Sequence, residues 1–205
     1  DCSILWGIMP ALKAKGIYGI VFKDAHADFY EPERSVTGEV ADMDLAIITG
    51  RGPELLANID QRKPYVKDEH VVHIGQRDWE ETKKFGSQVI LETSIPCFDL
   101  RFIDRNGIED TTNKVIHRIK DLPIEGCWIH FATDVLADEI NPAVEYRLPG
   151  GLQFEQVEYC IRSLLLTGKI IGMSVTIFNP TFDADGNIAS NIVQSMGKAF
   201  DLSFG

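Results

Sequence analysis

The chain has 205 residues, 44% hydrophobic and 25% charged, which supplies enough apolar side chains for one well-formed core and predicts a single domain. A formal net charge of −11 speaks against nucleic acid as a partner, because phosphate binding needs concentrated Lys and Arg. No apolar run reaches the length of a membrane span and no signal-peptide pattern is present. The four cysteines lack C-x-x-C spacing, and Cys127 and Cys160, in segments that look buried, read as core thiols, so a reducing, cytoplasmic setting is the expectation.

The chain opens on Asp1-Cys2-Ser3 rather than on Met and runs at once into an apolar helical pattern over 4–13 with Ser3 as N-cap, like the interior of a longer protein. Runs rich in β-branched residues predict strands at 17–22, 70–74, 88–91, 127–131 and 170–178. Between them, 53–59 reads as a short helix, and Val115, Ile116 and Ile119 mark a helical stripe over 111–119. Phe154, Val157, Ile161 and Leu164 share one helix face that Gly168 can close. A last helix carries Ile188, Ile192, Val193, Met196 and Phe200. Strand alternating with helix predicts an α/β protein, its parallel sheet covered on both faces. Longer irregular loops at 30–52, 96–109 and 138–151 follow or flank strand ends and can form the mouth of a site. The Pro149-Gly150-Gly151 turn needs unusual backbone angles.

In parallel sheets, ligands gather beyond the carboxyl ends of the strands. Asp24-Ala25-His26-Ala27-Asp28 stands at such a position, where three ligands at alternating residues can converge on one ion. Carboxylate with imidazole suits Mn, Zn, Fe or Ni. Asp134 lies just past the strand ending near Phe131, and neighbouring strand ends bring it toward Asp24. Cys2 precedes a helix start, a place that favours thiolate. The candidate metal set is therefore Cys2, Asp24, His26, Asp28 and Asp134.

Here the sequence resembles the ureohydrolases: arginase, agmatinase, formimidoylglutamase and their relatives. The 24–28 motif matches the family's first metal motif residue for residue. Asp1-Cys2-Ser3 looks like the end of its Gly-Gly-Asp-His-Ser segment, and Ile74-Gly75-Gln76-Arg77-Asp78 resembles its Gly-x-Arg-Asp stretch. His130-Phe131-Ala132-Thr133-Asp134 falls on the second, Asp-x-Asp, metal motif. Pro142, Pro149-Gly150-Gly151-Leu152 and Asn179-Pro180 follow in order. The resemblance covers essentially the whole chain, 1–205, as one arginase-like domain apparently lacking an N-terminal portion. It implies a three-layer α/β/α sandwich with a mainly parallel sheet, usually in trimers or hexamers. It also implies two divalent ions, most often Mn2+, bridged by carboxylates and a hydroxide that attacks a linear guanidine or amidine. By position, Cys2, Asp24 and Asp28 would serve one ion, and Asp24, His26 and Asp134 the other.

The departures from that pattern are specific. Ala132 stands where the family has an aspartate bridging both ions, and two cations held close together need anions between them. It is either a deliberate inactivation or the mark of a lineage that has lost the site. Cys2 replaces a histidine and shifts preference toward Zn2+ or Ni2+, unless it is only a buried helix-start thiol. Ala41 takes the place of a proton-shuttling histidine, and Ile177 that of the glutamate that clamps guanidinium in arginases. Asp42 or Glu39 then becomes the candidate acid/base or cation clamp, with a surface carboxylate the plainer reading of Glu39. Glu80 falls where the family contacts the substrate's distal amine, or is simply solvated, and His130 is a candidate catalytic group or a satisfied core histidine. Trp79 and Trp128 read as packing residues.

The leading expectation is thus a metal-dependent hydrolase of linear guanidine or amidine C–N bonds, impaired by Ala132. The alternative is a catalytically degenerate subunit that partners an active homologue, in a homo- or hetero-oligomer. A sensor for a cationic small molecule ranks third.

Overall fold

The computed structural model describes residues 1–200. Five strands, β1 (Tyr18–Lys23), β2 (Val71–Ile74), β3 (Cys97–Phe98), β4 (Gly126–Ala132) and β5 (Ile170–Thr176), form one sheet in the order β3-β2-β1-β4-β5. Every neighbouring pair is parallel. Such a sheet must be covered on both faces, and the alternation along the central strands does this. Ile20 and Phe22 of β1 enter a core with α1 (Leu5–Lys13) and α2 (Asp44–Ile48). Val21 and the β4 residues Cys127, Ile129 and Phe131 face the opposite core. That second core is closed by α5 (Leu100–Asn106), α6 (Ile108–Asp121), α7 (Phe154–Leu165) and α8 (Asn187–Phe200). The short helices α3 (Glu54–Ala57) and α4 (Trp79–Phe85) complete the set. The architecture is the expected three-layer α/β/α sandwich. Among the described residues no helix is long and apolar enough to cross a membrane.

Several local expectations need correction. Residues 88–91 are not a strand: Val89 and Leu91 are exposed, only Ile90 is buried, and a 3-10 turn spans Ile90–Glu92. The edge strand is instead Cys97–Phe98, pinned by His73 N–H donating to Pro96 O (2.9 Å) and Gly75 N–H to Phe98 O (2.9 Å). The expected 96–109 loop therefore holds β3, α5 and the start of α6. Asp99 caps α5 by accepting from Phe102 N–H at 2.7 Å. The expected 30–52 loop contains α2, all five of whose residues are buried. At the start of the chain Asp1, not Ser3, is the cap: its Oδ1 accepts from Ser3 N–H (2.8 Å), and a 3-10 turn over Cys2–Ile4 leads into α1.

Two glycines let loops approach one another. Gly151, at φ 129°, lies against Leu136 O and the Ala137 backbone, where a Cβ would come within 2.6–2.7 Å, and this admits the Leu136–Leu152 bridge. Gly75, at φ 100°, ends β2 where a Cβ would overlap the Val135 side chain and press on Asp24 O at 3.2 Å. Gly75→Ala is therefore expected to destabilise the protein by roughly 2–3 kcal/mol in urea unfolding, combining left-handed strain with overpacking. A change below about 0.5 kcal/mol would show that the β2 end is free to shift.

Candidate metal centre

The chain fills one side of the sheet (β2, β3) before returning to the other (β4, β5), so the strand order reverses between β1 and β4. Loops leaving those two strands diverge around a crevice, the usual ligand position in open α/β sheets. Asp24, His26 and Asp28 follow β1, whose Lys23 pairs with Phe131, and Asp134 follows β4. Cys2 arrives from the turn before α1.

These five residues converge. His26 Nδ1 donates to Asp134 Oδ2 at 3.0 Å and lies 3.5 Å from Asp24 Oδ1. The remaining Asp24 oxygen, Oδ2, takes the Cys2 thiol at 3.6 Å. His26 N–H donates to Asp24 Oδ1 (2.7 Å) and Ala25 N–H to Asp134 Oδ1 (3.4 Å), fixing the loop against both carboxylates. Asp28 adopts φ 48°, a left-handed conformation that Asp tolerates better than most residues.

Two residues brace the loops from behind. Asp78 Oδ2 accepts from Ala27 N–H (3.0 Å). Arg77 donates from Nη2 to the carbonyls of Asp134 (2.7 Å), Leu136 (3.1 Å) and Leu148 (3.4 Å), and from Nη1 to that of Val135 (3.4 Å). The Gly-x-Arg-Asp resemblance thus corresponds to a clamp that joins the two acidic loops.

Two further residues enter the site that the sequence reading did not place among the ligands. Asp44, at the start of α2, is fully buried, and one of its oxygens lies within 4.8 Å of donors from both Cys2 and Asp28. Its signal in the sequence was an acidic residue heading the wholly apolar run Leu45–Ile48. His130, treated as a catalytic candidate, sits behind Cys2 and away from the cavity. Its Nε2 is 3.2 Å from Cys2 Sγ, its Nδ1 is 2.9 Å from Ser174 Oγ, and its ring stacks on Phe22 at 4.9 Å. A group enclosed in this way does not itself touch a substrate in the cavity.

Above the cluster opens a cavity of about 570 Å³, lined by Asp24, His26, Asp28 and Asp134 at its floor and by Asp42, Glu39 and Tyr146 among others toward its mouth. Asp42 Oδ2 accepts from Ser35 Oγ and Thr37 Oγ1, both at 2.7 Å, and its Oδ1 is buried without a partner. Glu39 is exposed, 3.5 Å from the Tyr146 hydroxyl. Glu80 points to solvent outside the cavity, and its neighbour Glu81 lines it instead, since adjacent helical residues lie about 100° apart. Ile177 also lines the cavity, at φ 62°, a strained conformation for a β-branched residue. Trp79 carries Arg101 over its ring at 3.9 Å, and Trp128 packs against the α1 core while donating to Ser174 Oγ.

The electrostatics describe a site short of positive charge. Burial, then the Asp134 charge, pushes Asp24 up to about 7. Burial and neighbouring carboxylates hold Asp28 and Asp44 well above the usual carboxylate range, and the Cys2 thiol well above its own. Burial opposes a charge on His26, yet its hydrogen bonds to Asp134 and Asp24 prevail and hold its pKa well above ordinary. Burial likewise opposes ionised Asp134, and the His26 bond outweighs it, keeping Asp134 low. His130 is pulled down to about 3, chiefly by burial, and is neutral at physiological pH.

Divalent ions fit this chemistry. Donors from Asp24, His26 and Asp134 lie within 4.8 Å of one another, as do those of Cys2, Asp28 and Asp44, and those of Cys2, Asp24 and His130. Separations of 3.0 and 3.5 Å between His26 Nδ1 and two carboxylate oxygens match adjacent ligands of an ion about 2.1 Å from each. His26 Nε2 and both Asp44 oxygens are buried without hydrogen-bond partners. Ala132 is fully buried and contributes no donor.

The sequence pattern of the Arginase family matches residues 1–200. Arginase of Staphylococcus aureus (strain COL) is 29% identical over 201 residues, covering 98% of this chain and 65% of that protein. Arginase of Bacillus caldovelox is 29% identical over 182 residues, or 89% of this chain and 60% of that protein. The chain thus spans less than two thirds of the length of these curated relatives. The native B. caldovelox arginase crystal structure superposes with TM-score 0.85 at 26% identity, over 100% of this chain and 68% of that one. Formimidoylglutamase from Bacillus subtilis shares the fold, with TM-score 0.76 at 17% identity over 100% of this chain and 60% of that one. With that sequence pattern running over residues 1–200 and the fold held in common, this chain belongs to the arginase family.

Proposed function

We propose that the chain is a metal-dependent hydrolase of non-peptide C–N bonds in linear guanidines or amidines. The observation that carries this reading is the convergence of Cys2, Asp24, His26, Asp28 and Asp134 at the floor of a substrate-sized cavity. Asp24, His26 and Asp134 would hold one divalent ion and Cys2, Asp24 and Asp28 the other, with manganese or, given the thiol, zinc or nickel as candidates. Ions bound there would supply an acidified water, the nucleophile that hydrolysis at neutral pH requires.

The remaining work falls to side chains. Asp42 lines the cavity with one oxygen accepting from two hydroxyls and the other unpartnered, which makes it the candidate acid/base or cation clamp. Glu39 and Glu81 line the same cavity and favour a cationic substrate over a neutral or anionic one. Ile177 cannot clamp a guanidinium, so arginine itself is a poor candidate; a buried guanidinium without an anionic partner is costly.

Ala132 removes one bridge between the ions and motivates a second reading, a non-catalytic subunit beside an active homologue. One experiment separates the two. The chain and its Ala132→Asp variant, each fully loaded with metal, are assayed for urea or ammonia release across guanidino and amidine compounds. The hydrolase reading expects turnover of at least one compound, raised about tenfold or more by Ala132→Asp. No turnover by either protein, with two ions bound per chain, would sink it.

A further inference from the structure

Asp44 carries a consequence of its own. A fully buried carboxyl group normally meets donors, because leaving it desolvated and unpaired is costly. Asp44 meets none: neither oxygen has a hydrogen-bond partner, although the residue is completely enclosed. What stands beside it is a second buried carboxylate, Asp28, and the Cys2 thiol. Their donor atoms all lie within 4.8 Å of one another, and the His26 imidazolium, whose charge acts on Asp28, is itself bonded to Asp134 and close to Asp24. Among the described residues the buried Lys23 ammonium has no hydrogen-bond partner, so it does not pair with them either.

We infer that Asp44 is a ligand of the first ion, completing with Cys2 and Asp28 a thiolate–dicarboxylate set that retains this ion without the carboxylate missing at Ala132. The inference rests on the metal-hydrolase reading and deepens it. The replacement comes from the start of α2 rather than from β4, and its oxygen groups with the Cys2 and Asp28 donors rather than with those of His26 and Asp134. Asp44 therefore holds the first ion but does not bridge to the second. His130 supports the sulfur. Its neutral ring lies 3.2 Å from Cys2 Sγ and is steadied at the other nitrogen by Ser174, which also accepts from Trp128 Nε1 at 3.1 Å. A sulfur ligand in this set selects a thiolate-accepting ion, zinc or cobalt(II), over manganese at this position.

The test uses the full chain stripped of metal and titrated with cobalt(II) and, separately, with zinc. Cobalt binding is expected to bring a near-ultraviolet sulfur-to-cobalt absorption that Cys2→Ser abolishes. Asp44→Asn should weaken one of two ions by about 100-fold or more and leave the other within threefold of wild type, since loss of even an outer-shell partner costs 10–100-fold. Asp44→Ala, which buries no polar group, is run beside it. Both variants, metal-free, should melt no lower than the metal-free parent, because no partner of Asp44 is lost. Two ions bound with unchanged affinity in both variants would overturn the assignment while leaving the hydrolase reading intact. The same holds if the parent binds a single ion that Asp134→Asn removes and Asp44→Asn does not. No ion bound by the parent would overturn both.

Discussion

Divalent metal added to the metal-free protein near neutral pH is expected to raise its melting temperature by about 10 °C, and this gain should shrink toward about pH 5. The sign follows from the site carboxylates. Asp24 titrates near 7 in the folded chain, and Asp28 and Asp44 are also held well above the usual range. In the unfolded chain all three titrate near about 4. The folded state therefore binds more protons than the unfolded state across this window. Stability from these groups is fully present below the unfolded pKa and is lost as pH rises through the folded one.

His26, also raised, works in the same direction above its ordinary value of 6.5. Asp134, which is lowered, works in the opposite sense, but only as pH falls below the ordinary carboxylate range. One pKa unit is worth about 1.4 kcal/mol, so Asp24 alone represents several kcal/mol between mildly acid and neutral conditions. An ion replaces those protons with a charge. At about a thousandfold excess over its dissociation constant it contributes roughly 4 kcal/mol, or about 10 °C for a domain of this size. Melting curves of the metal-free and metal-loaded protein at several pH values measure both effects. A metal-free protein that grows steadily more stable from about pH 5 to pH 8 would contradict the account.

Arg77→Ala should cost on the order of 4 kcal/mol in denaturant unfolding and weaken the ion held by Asp134. The Arg77 side chain is almost fully buried and its guanidinium binds four carbonyls, those of Asp134, Val135, Leu136 and Leu148, while the backbone N–H of Arg77 donates to Ala25 O at 2.8 Å. Deleting the side chain leaves the enclosed Asp134 and Leu136 carbonyls without this donor, each costing about 1–3 kcal/mol where water cannot enter, whereas Val135 O keeps the Leu152 N–H. Arg77→Lys is expected to recover little, because a single ammonium cannot span carbonyls that a planar fork reaches together. Metal titration separates the structural from the site effect. Affinity at the Asp134 position should fall even under conditions where the variant remains folded. A loss below about 1 kcal/mol with unchanged metal affinity would show that the loop after β4 holds its shape unaided.

The parts of this molecule legible in the sequence are those set by local pattern. The β-branched run before Asp24 had to be a central strand, and alternating ligands just beyond it had to meet at the sheet's carboxyl edge. Helix α7 was readable because one apolar stripe marks it, and the structure adds a capping box at Gln153 and Gln156 that fixes its start. Where the pattern misled, packing overrode propensity. Residues 88–91 carry strand-forming side chains but bury only Ile90, whereas Cys97 and Phe98 form the edge because the β2 backbone reaches them. Glu80 and Glu81 differ by a single helical step, and only the orientation of α4 decides which one faces the cavity.

The metal-ligand candidates at the strand ends were thus determined by the sequence alone, since strand direction and the two-residue period fix where such side chains project. Tertiary structure decided that Asp44 joins Cys2 and Asp28, that His130 stands behind the sulfur, and that Arg77 ties the acidic loops together. Those contacts join segments far apart in the chain, and no local periodicity encodes the path of the intervening loops. Their positions are set by what the buried charges must meet once the sheet has closed.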